Sequence, residues 1–279
     1  MIRKGAVLGV AVCLMLVSSC AAWADPEPWF LSGGYQYTSG DYGGGRTITE
    51  TYVPLAAGYR FPWAGVWVTV PYVSVSGPAT IIDDTTGDFS PGPGGARSGL
   101  GDVMLSGTLY DLTDSGSAGL YLDLTGTVKF ATGSASAGLG TGESDYAVQL
   151  EALREFGRIG VFGTAGYVVR SGPGRINLRD VPFGEAGADV LLIAGVRAGM
   201  SFAYRTSPIA RYESVKQAAV FVAFAAPDGL IVHPLVFKGF GDSSPSWGAG
   251  VQLSWHAPSS EGNWDDEPFS EVNPAGAGT

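Results

Sequence analysis

Charged side chains recur at alternate positions within short, otherwise apolar segments of this chain. In segment 119–131, Asp123 and Lys129 stand at odd-numbered positions, whereas the even-numbered positions hold mainly leucine, valine and phenylalanine. Because a β-strand directs successive side chains to opposite faces, such a segment has one polar and one apolar face. Rings of charge inside a closed sheet select among solutes. The polar faces supply these candidate lumen or constriction residues: Asp102, Asp123, Lys129, Asp145, Glu151, Asp189, Arg197 and Arg205.

Three of these charges align when neighbouring segments fold back on one another. A turn centred near residues 115–116 places Asp102 opposite Lys129, and a loop centred near residue 137 places Lys129 opposite Asp145. The three side chains therefore form one predicted cross-strand row of alternating charge.

A second pair of opposite charges, Asp189 and Arg197, faces across a tight turn by the same arithmetic. Two interpretations stay open for all these pairs. Opposite charges across strands stabilise a polar face by about 0.2–1 kcal/mol per pair, which is a structural role. A constriction lined by charge would instead select solutes.

Catalytic chemistry has little support in this sequence. Acyl transfer and hydrolysis need a base beside a nucleophile, and the chain has two histidines, His233 and His256. It has no Gly-x-Ser-x-Gly, Gly-x-x-x-x-Gly-Lys or His-Glu-x-x-His motif. The spacing of Asp83, Asp84 and Asp88 does not match a calcium-binding loop. We therefore expect no catalytic residue, no metal site and no cofactor.

The elements that must position the charges are about twelve β-type segments after residue 28. The gaps between them alternate long and short, as in an up-and-down barrel that crosses a membrane with short turns on one side. The sequence therefore predicts an all-β fold, a transmembrane antiparallel β-barrel. The segments are 29–39, 47–61, 66–76, 100–112, 119–131, 143–156, 159–170, 183–192, 195–205, 213–226, 229–240 and 246–256.

Aromatic residues indicate which face of the sheet meets lipid. They gather on the apolar face at both ends of the segments, and two aromatic belts around an aliphatic band are typical of a lipid-facing wall. One belt holds Phe130, Tyr146, Tyr167, Tyr204 and Trp247; the other holds Trp29, Tyr59, Phe61, Trp63, Phe156 and Trp255. Segments 66–76 and 229–240 are apolar on both faces and cannot be oriented from the sequence.

The composition agrees with a membrane protein that does not bind nucleic acid. Of 279 residues, 43 are glycine and 15% are charged, against about 25% charged in an ordinary soluble domain. The net charge is −10 and no basic stripe occurs, which argues against a nucleic-acid partner.

The two ends of the chain differ from its centre. Residues 1–24 combine a basic start, an apolar run and a small-x-small site, and predict a signal peptide cleaved after Ala24. Alternatively, residues 17–20 resemble a lipoprotein box in which Cys20 would be lipidated. Residues 25–257 then form the barrel, and 258–279 form a disordered acidic tail.

Several stretches resemble a group of Gram-negative outer-membrane proteins described as transporters, near the family named for the MetA pathway of phenol degradation. The stretches are Gly99–Asp102, Leu122–Thr132, Gly138–Ala147 and Gly239–Gly248. The resemblance covers about residues 28–256. It implies an outer-membrane barrel, uptake of a small solute, aromatic compounds included, and no catalytic residues.

We therefore expect passive uptake of a small solute through a barrel with periplasmic termini. The expected partners are outer-membrane lipid, the barrel-assembly machinery and the small-molecule solute. A barrel that acts as a receptor, adhesin or structural protein is the alternative, and a barrel enzyme is a weaker one. Such barrels commonly end on an aromatic residue, whereas here the tail follows Trp255.

Overall fold

A computed structural model describes most of the predicted barrel. It covers residues 29–41, 47–77, 80–82, 89–91, 95–113, 119–140, 142–170, 179–207, 213–226 and 229–256. The expected signal peptide 1–24, the alternative at Cys20, the tail 258–279 and the aspartates at 83, 84 and 88 lie outside these residues. The predicted domain boundaries therefore stay predictions.

Fifteen strands are formed by the described residues. They are β1 (Trp29–Gly40), β2 (Ile48–Phe61), β3 (Ala64–Gly77), β4 (Thr80–Ile82), β5 (Phe89–Pro91), β6 (Gly95–Leu100), β7 (Val103–Leu109), β8 (Leu120–Phe130), β9 (Asp145–Phe156), β10 (Ile159–Arg170), β11 (Val181–Ile193), β12 (Val196–Arg205), β13 (Val215–Ala225), β14 (Leu230–Phe240) and β15 (Trp247–His256).

The sheet closes on itself as an antiparallel barrel. Each strand from β7 to β15 pairs with its neighbour in sequence, and β1 pairs with both β2 and β15. Strands β6 and β7 follow one another along β3, so the barrel has twelve strand positions. Pairing of the first strand with the last gives the closed ladder that a membrane interior requires. The predicted twelve-stranded barrel is confirmed.

Helical structure is minor in the part of the chain that is described. Residues 135–137 form a single 3-10 turn. No helix among the described residues is long and apolar enough to cross a membrane.

Connection lengths follow the predicted alternation at most positions. The short connections 62–63, 157–158, 194–195 and 226–229 lie at one end of the barrel, together with 110–119, which is longer than 41–47 and 241–246 at the other end. In the two-residue hairpins at 157–158 and 194–195, Gly157 (φ 65°) and Gly195 (φ 74°) supply the positive φ that such turns favour. We refer below to the short-turn end and the long-loop end.

The outer wall is apolar, and both predicted aromatic belts face outward. Met200 lies in the middle of β12, far from either end of the barrel, and its side chain is 64% exposed. Belt residues at the short-turn end also contact one another, as in the Trp29–Tyr59 pair, whose ring centroids are 5.0 Å apart. An exposed aliphatic band between two aromatic girdles is the surface that a bilayer covers.

Rings on the inner wall lie over glycines of the adjacent strand. A methyl group at Gly166 would lie 2.2 Å from Phe183, and one at Gly248 would lie 2.2 Å from Phe237. Any larger residue at these glycines would displace the ring that lies over it. Glycines at such positions also support the curvature of closed sheets.

One segment differs from its prediction. The stretch 100–112 is interrupted at Gly101 and Asp102, and the backbone N–H of Gly101 donates to the carbonyl of Pro71 at 2.9 Å. Strand β6 begins at Gly95, inside the predicted loop 77–99, because it extends the ladder on β3. The loop is thus partly strand and also contains the β4–β5 hairpin.

Candidate solute pathway in the barrel lumen

Four charged residues meet inside the long-loop end of the barrel, and we call them the lysine cluster: Asp102, Lys129, Asp145 and Arg170. Lys129 Nζ lies 3.2 Å from Asp102 and 2.8 Å from Asp145, and Arg170 lies 3.4 Å from Asp145. Lys129 is only 2% exposed, so its charge depends on these carboxylates rather than on water.

The register of this cluster is partly as predicted. Lys129 lies directly opposite Asp145, as expected. It lies opposite Met104 rather than Asp102, however, so the predicted pairing of β7 with β8 was wrong by two residues. The ion pair still forms because the lysine side chain reaches diagonally to Asp102.

A second group, the arginine cluster, lies inside the short-turn end and consists of Glu155, Asp189 and Arg197. Arg197 donates from Nε to Asp189 and lies 3.0 Å from Glu155. Here too the predicted register was wrong by two residues, since Arg197 lies opposite Leu191 and Asp189 opposite Gly199. The side chains again meet along a diagonal.

Three carboxylates form a row between the two clusters, and we call them the carboxylate row: Asp123, Glu151 and Glu185. Asp123 lies opposite Glu151, and Thr164 links Glu151 to Glu185 through the next two strand pairings. All three are buried. Glu151 accepts a hydrogen bond from Gln149, and Asp123 accepts one at 2.8 Å from the backbone of Asp111.

All eight candidate residues from the sequence are described. Seven belong to the two clusters or the carboxylate row. The eighth, Arg205, ends β12 at the long-loop end, where it is half-buried and opposite Phe183. Their role in a constriction stays a prediction.

The lumen also has an apolar side that the sequence did not reveal. Phe221, Leu235 and Phe237 form a buried cluster on the inner face of β13 and β14. His233 packs edge-on against Phe221 with ring centroids 4.9 Å apart, and neither ring nitrogen has a hydrogen-bond partner among the described residues. Because β14 is apolar on both faces, alternation could not show which of its residues point inward.

Some inward-facing charges were missed, Glu50 on β2 among them, and so was one loop. Arg170 and Glu155 complete the two clusters, and their positions in the alternation of β10 and β9 could have identified them. The loop after β8 folds into the long-loop end, where Leu139 is buried with inward-facing residues of β2 and β3. Its one large apolar residue among small ones was the available signal.

The arrangement presents an interior that is polar over much of its wall, with ion pairs at both ends. Hydroxyl groups line the inner wall between the charged groups, as in the Ser106–Thr127 contact of 2.9 Å and the Thr108–Thr125 contact of 2.6 Å. Within the described residues, no group of three or more His, Cys, Asp or Glu is placed to hold a metal ion.

No protein-family model and no curated protein matches this chain. Among solved structures it is similar to the COG4313 outer membrane channel from Pseudomonas putida F1, with 13% identity, a TM-score of 0.65, and coverage of 84% of this chain and 97% of that one. It is also similar to the KdgM porin, with 9% identity, a TM-score of 0.51, and coverage of 80% and 98%. At these identities the likeness shows the fold, a barrel of the kind found in outer-membrane channels and porins.

Proposed function

We propose that this protein is a channel of a bacterial outer membrane through which a small solute passes passively. The observation that carries the proposal is the contrast between the outer and inner faces of the barrel wall. The outer wall is apolar and belted by aromatic residues, whereas the inner wall is lined by ion pairs, carboxylates and hydroxyls. A polar interior in a membrane barrel is typical of a solute pathway.

The solute class is a finer part of the proposal. The apolar patch of Phe221, Leu235 and Phe237 gives one side of the lumen affinity for a ring, while the clusters offer charged groups to a polar substituent. Together with the sequence resemblance, this supports a small aromatic compound that carries a polar group. The proposal assigns no catalytic residue.

Sidedness follows from the loop lengths. Short turns of membrane barrels lie in the periplasm, and an even number of strand positions returns the chain to its starting side. We therefore expect the short-turn end and both termini in the periplasm. Outer-membrane lipid and the barrel-assembly machinery are the partners that such a location requires.

A barrel that serves as a receptor or structural protein is the second candidate. The burial of Lys129 and Asp145 favours it, because side chains that line an open aqueous passage would be more exposed to water. The two candidates differ in whether any solute crosses.

Liposome swelling tests the proposal directly. Liposomes that contain the protein should swell in small aromatic acids, and more slowly in sugars and amino acids of similar size. Lys238→Ala is a control variant. Lys238 is exposed and lies outside the clusters, so its loss should leave the swelling rates unchanged. Swelling no faster than in protein-free liposomes, for every solute, would favour the receptor or structural candidate.

A further inference from the structure

The loop that follows β8 has one large apolar side chain. From residue 131 to residue 142 every residue except Leu139 is glycine, alanine, serine or threonine. Leu139 is 5% exposed and belongs to a buried cluster on the inner face of the barrel. The other members of that cluster are Ile48, Tyr52, Val73 and Val75. A single apolar contact of this kind seats the loop in the lumen.

Glycines of the interrupted strand make room for the loop. A methyl group at Gly99 would lie 2.9 Å from Leu139 Cδ1, and one at Gly101 would lie 3.4 Å from the Leu139 carbonyl oxygen. The loop therefore passes over β6 and the start of β7 to reach β3. Larger residues at either glycine would compete with it for space.

Asp102 connects this loop to the lysine cluster. One carboxylate oxygen accepts a hydrogen bond from the backbone of Gly133 at 2.8 Å, and the other is 3.2 Å from Lys129. Beside it, Thr132 Oγ1 accepts from the backbone of Val103 at 2.8 Å and donates to the carbonyl of Gly101 at 3.2 Å. The loop is thus held by a few local contacts, in contrast to the continuous ladders of the wall.

We propose that residues 131–140 form a gate that closes the long-loop end of the lumen, with Leu139 as its removable contact. In the open state Leu139 leaves its cluster and the loop moves away from Asp102, while the wall stays unchanged. The gate rests on the proposed channel function, because it has meaning only if a solute crosses.

A reversible cross-link tests the gate. In the double variant Gly99→Cys with Leu139→Cys, a disulfide would fix the loop in its inward position, and reduction would release it. Single-channel recording in a planar bilayer should show mainly closed channels after oxidation and frequent opening after reduction. The control is Ser106→Cys with Thr127→Cys, a pair whose hydroxyls lie 2.9 Å apart within the wall and whose disulfide cannot hold the loop.

A second variant tests the apolar contact without a cross-link. Leu139→Ala removes most of the buried side chain and should raise the open probability about tenfold, since burial of that side chain favours only the closed state. Leu150→Ala on the outer wall is the matched leucine control and should behave as the original protein.

The outcomes separate the gate from the channel. Heat modifiability of the Gly99→Cys with Leu139→Cys variant and of its control shows that both are folded. If the oxidised and reduced forms of that variant then conduct equally, the gate is overturned and the channel is left intact. Absence of conductance in every folded variant, Leu139→Ala included, would overturn both proposals.

Discussion

The two ends of the lumen hold the same chemistry in different surroundings. At the long-loop end, Lys129 and Asp145 are almost completely buried, and Asp102 also holds a loop. At the short-turn end, Arg197 is buried but its partner Glu155 keeps 30% of its side chain exposed, next to two-residue turns. Lys129 lies directly opposite Asp145 in the lysine cluster, whereas Arg197 on β12 reaches past β11 and β10 to Glu155 on β9.

This difference indicates that the burial of an ion pair, rather than the number of ion pairs in a cluster, decides how much the pair contributes to stability. An ion in a dry site depends on its partners, because removal of one partner leaves an uncompensated buried charge. A pair that retains contact with water loses less, since solvent replaces the missing partner. The lysine cluster should therefore dominate both stability and the properties of the lumen.

Loss of the lysine should have the largest effect. Lys129→Ala leaves Asp102 and Asp145 buried without it, and should lower the free energy of unfolding by about 3–5 kcal/mol. Denaturant titration of the refolded barrel measures this loss. Lys238→Ala is the control at an exposed site, and an equal loss in the two variants would show that the lysine cluster has no special structural importance.

Removal of the arginine should cost less. Arg197→Ala breaks the contacts with Asp189 and Glu155, and should lower the free energy of unfolding by about 1–2 kcal/mol because Glu155 stays in contact with water. The same titration applies. A loss as large as that of Lys129→Ala would show that exposure does not separate the two ends.

A neutral residue in the carboxylate row should be tolerated. Glu151 lies opposite Asp123, and like charges directly opposite are unfavourable in a sheet. Glu151→Gln keeps the shape and should change the free energy of unfolding by about 0–1 kcal/mol in the stabilising direction. A clear loss of stability would instead indicate that the row is compensated by charge.

The smallest expected effect is the dependence on salt of the stability that each variant loses. Raising the ionic strength should reduce the cost of Arg197→Ala by a few tenths of a kcal/mol and leave that of Lys129→Ala unchanged, because exposed pairs are screened more than buried ones. Paired titrations at low and high salt measure both costs. Equal salt dependence would remove this distinction.

Much of the fold was predictable because alternation and loop lengths are set by the bilayer. The outward position of Met200 and the inward position of Lys129 both follow from period two and the aromatic belts. The register was predicted correctly between β8 and β9 but not for two other strand pairs, since it depends on where each turn is centred. A displaced turn centre moved Asp102 and Asp189 by two positions from their predicted partners.

The rest of the lumen depends on tertiary contacts that no local pattern encodes. The inner faces of β3 and β14 are apolar because they pack on Leu139 and on rings such as Phe221, rather than on water. The inward path of the loop after β8 needs the missing side chain at Gly99, which is a feature of another strand.

The reversal potential of single channels under a salt gradient shows whether ions pass through the charged lumen. Lys129→Ala should shift the reversal potential towards cation selectivity relative to the original protein and to Lys238→Ala, because Asp102 and Asp145 then lose their shared cation. Identical reversal potentials in all three proteins would show that the charged lumen is not the pathway.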